Sequence, residues 1–219
     1  MIGMIEGIIF DVDGLLVDSE PCWTEARRQL AAETGQAWTD ADRRACMGVS
    51  TREWSGYMIR RLGLGLSADA VEARIIGFIK AEYARAIPFL PGAIDAVRLA
   101  SLHYRVGIAS GSHRDLVDAV ALDPRLRGKF EAIAYADDVA AGKPKPDVYL
   151  AAARKLNLAP GSCVCLEDSA NGILSGVAAG MKVIAVPDPA FPPPTAILAK
   201  AARVLASLTE VNLNLLRSL

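Results

Sequence analysis

The sequence predicts an α/β protein: an open parallel sheet with helices on both faces and an all-helical block inserted after the first strand. Three observations predict it. The run Gly7-Ile8-Ile9-Phe10 is short, apolar and β-branched, and a turn ends it, as in a buried strand. From about residue 18 to 88 the pattern is almost purely helical. After Pro91-Gly92 it changes to strand–helix alternation, which means parallel strands joined by helical crossovers.

Taken in order, residues 6–10 form the first strand. Residues 21–34 read as a helix that begins near Ser19 or Glu20 and ends at Gly35. Residues 39–46, 51–62 and 67–87 are helical, the last opened by Ser67-Ala68-Asp69; Pro88 and Pro91-Gly92 then break the pattern. This block is the size of a small domain, so the division predicted is a core of 1–17 and 89–219 around a helical domain of 18–88. In the core, 93–102 is helix, 105–109 strand, 113–121 helix, 132–134 strand and 146–158 helix. Strand 164–166, helix 169–179 and strand 182–186 follow. Helix 194–202, a short strand at 203–205 and helix 207–216 finish the chain, with Ser207 and Glu210 at capping-box spacing.

Composition excludes several classes. The 219 residues are 52% hydrophobic, enough for a real core, and a net charge of −1 offers no basic field for nucleic acid or an anionic membrane. No apolar run is long enough to span a bilayer, and the N-terminus carries no basic stretch before a long apolar one. Cys22, Cys46, Cys163 and Cys165 fit neither a zinc pattern nor a disulfide framework, and Cys163 and Cys165 read as two buried small side chains in one strand. A cytoplasmic, monomeric protein is expected.

Chemistry gathers where strands stop. Asp11 and Asp13 follow the first strand, and Glu167 and Asp168 follow Cys163-Val164-Cys165-Leu166. Carboxylates rarely serve a core, because an unpaired buried charge costs several kcal/mol. The carboxyl ends of parallel strands line the ligand crevice, and four acids converging there would repel one another without a cation. A Mg²⁺-type site of oxygen ligands follows. Ser110-Gly111-Ser112 also follows a strand and precedes a helix, which offers backbone N–H groups and a hydroxyl to an anion. Lys143, held between Gly142 and Pro144 in an extended segment, can neutralise an anionic oxygen. One anionic ligand, two acid pairs, one lysine and one divalent metal balance best around a phosphoryl group.

These motifs carry a resemblance. Asp11-Val12-Asp13-Gly14-Leu15-Leu16-Val17-Asp18-Ser19, Ser110, Lys143-Pro144-Lys145-Pro146-Asp147 and Leu166-Glu167-Asp168-Ser169-Ala170-Asn171-Gly172-Ile173 occur in the order of the haloacid dehalogenase superfamily. The chain is similar to the branch that holds β-phosphoglucomutase and sugar-phosphate phosphatases, with a Rossmann-like core and a helical cap that would close over the site. The resemblance implies that Asp11 is the nucleophile and forms an aspartyl-phosphate. Asp13 is implied as the general acid and base, with its backbone carbonyl on the metal. Ser110, Gly111 and Lys143 would bind the phosphoryl group. Asp11, Asp13, Glu167 and Asp168 would hold Mg²⁺, with Glu167 acting directly or through water. Members that cleave carbon–halogen bonds lack an acid at the Asp13 position, so its presence favours phosphoryl transfer.

The function implied is a Mg²⁺-dependent phosphatase of a small phosphorylated metabolite, a sugar or nucleoside phosphate. The alternatives are a β-phosphoglucomutase-like mutase and a catalytically idle binding protein. Ser19, Glu20, Trp23 and Arg52 are candidate substrate residues. Mutase-like sequences carry a histidine where this chain has Trp23, which weighs against the mutase. Gly48-Val49-Ser50-Thr51-Arg52-Glu53 resembles a specificity loop of that group with a one-residue shift. Arg52 either touches substrate or is a solvated residue at a helix start. Trp38 and Trp54 read as packing residues, His113 as a helix start, Asp147 as a helix cap, and Asp137 and Asp138 as either supporting residues or a solvated loop pair.

Overall fold

The computed structural model describes residues 5–46 and 51–219. By contact the chain divides into two compact units, one formed of Met1–Asp18 and Pro88–Leu219, the other of Ser19–Ile87.

The first unit holds one six-stranded sheet made of β1 (Gly7–Phe10), β2 (Arg105–Ser110), β3 (Ala132–Tyr135), β4 (Cys163–Glu167), β5 (Lys182–Ala185) and β6 (Arg203–Val204). The order is β3-β2-β1-β4-β5-β6, and every named pairing is parallel. Chain order runs outward from β1 in both directions, so the gap between the crossovers opens at the carboxyl ends of β1 and β4. Each strand of the centre is buried on both faces, which explains its near-continuous apolar reading. Ile9, Ala109, Cys165 and Val183 face one core with Val148, Tyr149, Ala152 and Ile173. Their strand neighbours Ile8, Phe10, Ile108 and Leu166 point the other way and are fully buried too.

The second unit is helical: α1 (Glu20–Glu33), α2 (Asp40–Cys46), α3 (Thr51–Leu62) and α4 (Ala68–Arg85). Ser67 caps α4 by accepting from the Ala70 N–H, and Gly35 takes φ +72° just past α1, where a side chain would be strained. Asp42, buried on α2, ties that helix to α3 and to the loop before it: its carboxylate accepts from the Thr39 N–H and hydroxyl, the Tyr57 hydroxyl at 2.7 Å and the Arg61 guanidinium at 2.9 Å. Trp38 packs edge-on against Tyr57 beside this network.

Around the sheet lie α5 (Ala93–His103), α6 (Arg114–Ala121), α7 (Asp147–Lys155), α8 (Ala170–Ala178), α9 (Thr195–Leu198) and α10 (Leu213–Arg217). His113 is the N-cap of α6, its ring nitrogen accepting from the Asp115 N–H. Four expectations are corrected. The helix at 194–202 shrinks to the single turn of α9. The helix at 207–216 is two pieces: the Ser207/Glu210 capping box closes only a 3-10 turn, and the Asn212 side chain starts α10 anew by accepting from the Leu215 N–H. Asp147 does not cap α7; Pro146 holds that position without a side-chain bond. Lys143 lies in a turn closed by the Lys145 N–H on the Gly142 carbonyl, not in an extended segment.

Candidate active site

Asp11 is the first residue beyond β1. Its N–H donates to the Leu166 carbonyl, so the β1–β4 ladder continues one step and sets Asp11 beside the last residues of β4. Glu167 ends β4, and its carbonyl accepts from the Val186 N–H, which fastens it to β5. Ser110 ends the neighbouring β2, fully buried, its Oγ accepting from the Ser112 N–H at 3.1 Å. Adjacent strands thus deliver Ser110, Asp11 and Glu167 side by side.

The loop after β3 supplies the cation. Lys143 Nζ donates to Asp11 Oδ1 at 2.6 Å and to Glu167 Oε1 at 2.5 Å. The Ser175 hydroxyl pins this loop from α8 by donating to the Lys145 carbonyl at 2.6 Å. At its other end the loop carries Asp138, exposed to solvent, whose carboxylate pairs with Arg114 and Lys155. Glu167, with no exposed side-chain surface, spends both oxygens within the protein. Oε1 also accepts from the Tyr149 hydroxyl at 2.7 Å, and Oε2 accepts from the Ser169 hydroxyl at 3.2 Å.

Asp11, Glu167 and Asp168 each offer a carboxylate oxygen within 4.8 Å of the others. Asp168 Oδ1 is buried without a hydrogen-bond partner among the described residues. Two glycines permit this crowding. Gly14 takes φ +77°, and a methyl group there would strike the Asp168 carboxylate; one at Gly172 would strike that of Glu167. Three carboxylates against the Lys143 ammonium leave the cluster short of positive charge. Burial pushes the Asp11 carboxyl up; Lys143 offsets that only in part, while Glu167 and Asp13 push it further. Burial, Asp11 and Glu167 likewise push Asp168 up. Burial alone would pull Lys143 down, yet Asp11 and Glu167 outweigh it and hold the ammonium above the ordinary lysine value. An orphaned buried carboxylate oxygen inside an acidic cluster fits a divalent cation with oxygen ligands.

Asp13 is half-buried where the chain turns away from β1, in a bridge with Val17; its side chain stands outside the three-acid cluster. Gly111 is exposed in the turn after Ser110, with open space where a side chain would stand. Ser19, Glu20, Trp23 and Arg52 belong to the helical unit. There Ser19 is buried at the start of α1, Glu20 accepts from the Thr24 hydroxyl, and Arg52 is exposed. Trp23 meets Trp54 edge-on at 6.1 Å, with the Arg27 guanidinium 5.3 Å from its ring. Gly48, Val49 and Ser50 of the resembling loop lie outside the described residues. Cys163 and Cys165 are fully buried free thiols, and burial pushes both up, Cys163 to about 11.

Tyr149 and Ser175 escaped the sequence reading, and Ser169 and Gly172, quoted there within the motif after β4, were given no role. Tyr149 left one trace: a phenol tip in the otherwise apolar run Val148-Tyr149-Leu150-Ala151-Ala152-Ala153, where a buried hydroxyl must find a partner.

A doubly wound parallel sheet with acids and a lysine gathered at its switch point defines an α/β enzyme of the phosphate-handling type. The family model of the haloacid dehalogenase-like hydrolases matches residues 5–180, and the chain belongs to that family. Hexitol phosphatase B of Escherichia coli (strain K12) is 37% identical over 93% of this chain and 92% of its own length. A phosphorylated carbohydrates phosphatase of Thermotoga maritima is 30% identical over 82% of this chain and 84% of its own. The crystal structure of CbbY from Rhodobacter sphaeroides in complex with phosphate superposes with a TM-score of 0.85, at 29% identity, over 99% of this chain and all of that one. No helix among the described residues is long and apolar enough to cross a membrane.

Proposed function

We propose that this hydrolase is a Mg²⁺-dependent phosphoric monoester hydrolase acting on a small phosphorylated sugar or sugar alcohol. The observation that carries the reading is the Lys143 ammonium bridging Asp11 and Glu167 beside the orphaned oxygen of Asp168. Asp11, Asp168 and the Asp13 carbonyl would hold the metal, with Glu167 held by protein donors behind them. Magnesium bound there would lower the repulsion between the carboxylates and an incoming phosphoryl group.

The chain's own residues carry the steps. Lys143 has three hydrogens and spends two on Asp11 and Glu167, which fixes the Asp11 carboxylate and leaves one for a phosphoryl oxygen. Ser110 and the Gly111 N–H supply further donors at the end of β2. An Asp11 oxygen attacks phosphorus as the ester P–O bond breaks, and Asp13, as the acid, protonates the departing alkoxide. Asp13, now a carboxylate, takes a proton from water; the hydroxyl attacks phosphorus, the P–O bond to Asp11 breaks, and inorganic phosphate leaves. The helical unit takes the role of cap, and Ser19, Glu20, Trp23 and Arg52 are its candidates for substrate contact.

Sugar phosphates and hexitol phosphates head the substrate screen, following the names of the two phosphatase relatives. Hydrolysis of p-nitrophenyl phosphate should require Mg²⁺ and stop with chelator; chelator-resistant turnover would remove the metal from the reading. With β-glucose 1-phosphate, stoichiometric release of phosphate supports hydrolysis, whereas an isomer without free phosphate would convert the reading to the mutase.

A further inference from the structure

Tyr149 lies on α7, fully buried, and its hydroxyl donates to the same Glu167 oxygen that accepts Lys143. Its ring centroid stands 5.0 Å from Lys143 Nζ. The residue therefore acts on the lysine twice, through a shared acceptor and through the face of its ring. Glu167 is thus held on one oxygen by the phenol and the lysine together and on the other by the Ser169 hydroxyl.

We propose that Tyr149 is a positioning residue that, through Glu167, fixes where Lys143 presents its charge and so sets how firmly the site grips a transferring phosphoryl group. The inference rests on the phosphatase reading. Without the phenol hydroxyl, Glu167 Oε1 has Lys143 as its remaining donor and draws the ammonium away from Asp11 and from the phosphoryl oxygen. A shift of that kind weakens catalysis although nothing touching the substrate has changed.

The test is Tyr149→Phe, which keeps the ring and removes one bond. Turnover of p-nitrophenyl phosphate should fall about tenfold, and competitive inhibition by inorganic phosphate should weaken about tenfold. In a Lys143→Met background the same change should alter the residual turnover by less than about twofold, because the hydroxyl acts through the lysine. Tyr135→Phe serves as comparison. It removes a hydroxyl bonded to Asp118 and should lower the melting temperature while leaving turnover and phosphate inhibition unchanged. Turnover of Tyr149→Phe within about twofold of wild type, or equal losses with and without Lys143, would overturn the proposal. So would a Tyr149→Phe chain that fails to fold, since the role must separate from stability. An inactive wild type would sink the functional reading and this inference with it, whereas an active wild type beside an unaffected variant counts against Tyr149 alone.

Discussion

At the scale of single residues, the site concentrates charge that a core of this size would not otherwise hold. Asp11, Glu167 and Asp168 crowd one point, and Lys143 answers them incompletely. Asp11→Asn removes one repelling charge together with the proposed nucleophile. Its turnover should fall by about a thousandfold or more, while its melting temperature in chelator equals or exceeds that of wild type. Measurable phosphatase activity near the wild-type rate would refute the nucleophile. The carboxyl groups that burial and neighbours push up also make the metal-free protein sensitive to pH. A raised carboxyl contributes stability below its unfolded value of about 4 and loses it as pH rises through its folded value. Melting temperature in chelator should therefore decline from mildly acidic pH through neutrality, and Mg²⁺ should cancel the decline. A flat chelator profile would contradict the burial of these acids.

At the scale of elements, helices are seated by what they lack as much as by what they carry. A methyl at Gly172 of α8 would occupy the space of the Glu167 carboxylate, so Gly172→Ala should cost about 2 kcal/mol or more in urea melts and most of the turnover. Gly77, exposed on α4 with open space around it, is the contrast: Gly77→Ala should stabilise by about 0.5–1 kcal/mol. The Asp42 network gives the helical unit its own acid limit. Burial would raise the Asp42 carboxyl, but Tyr57, Thr39 and Arg61 outweigh it and hold it down at about 2. A depressed carboxyl contributes stability above the unfolded value of about 4 and loses it as pH falls through the folded value. The loss between about pH 4 and pH 2 should be about 1 kcal/mol after screening near the surface, and Asp42→Asn should remove that step. Trp23, Trp38 and Trp54 all lie in Ser19–Ile87, so tryptophan emission reads this unit selectively.

The strands β1 to β5 were legible because each is a short, largely apolar run, and burial on both faces leaves little polar alternation to confuse it; β6, with both residues exposed, is the exception. The helix bounds near the C-terminus were not, because residues 194–202 and 207–216 carry helical patterns that local bonds interrupt. One capping box and one asparagine cap, each satisfied within a few residues, ended one turn and began another. The acids and Lys143 stood out because charge placed beside apolar runs is costly unless it has a use. Tyr149 and Ser175 did not, since a hydroxyl on a helix reads the same whether it meets solvent or a buried partner 18 or 30 residues away.

At the scale of the whole molecule, parallel order turns chain distance into proximity. Lys143 and Asp11 are 132 positions apart and meet at 2.6 Å because β1 is the central strand from which the chain winds in both directions. The sequence by itself determined the sheet, the inserted helical block and the residue types that phosphoryl chemistry needs, because hydrophobic period and charge at strand ends are local properties. Tertiary structure decided which oxygen of which acid is already spent: Glu167 is committed to Lys143, Tyr149 and Ser169, while Asp168 keeps an oxygen without a partner among the described residues. Hydrogen-bond saturation depends on directions in space, and strands brought together from distant parts of the chain set those directions only once they have paired.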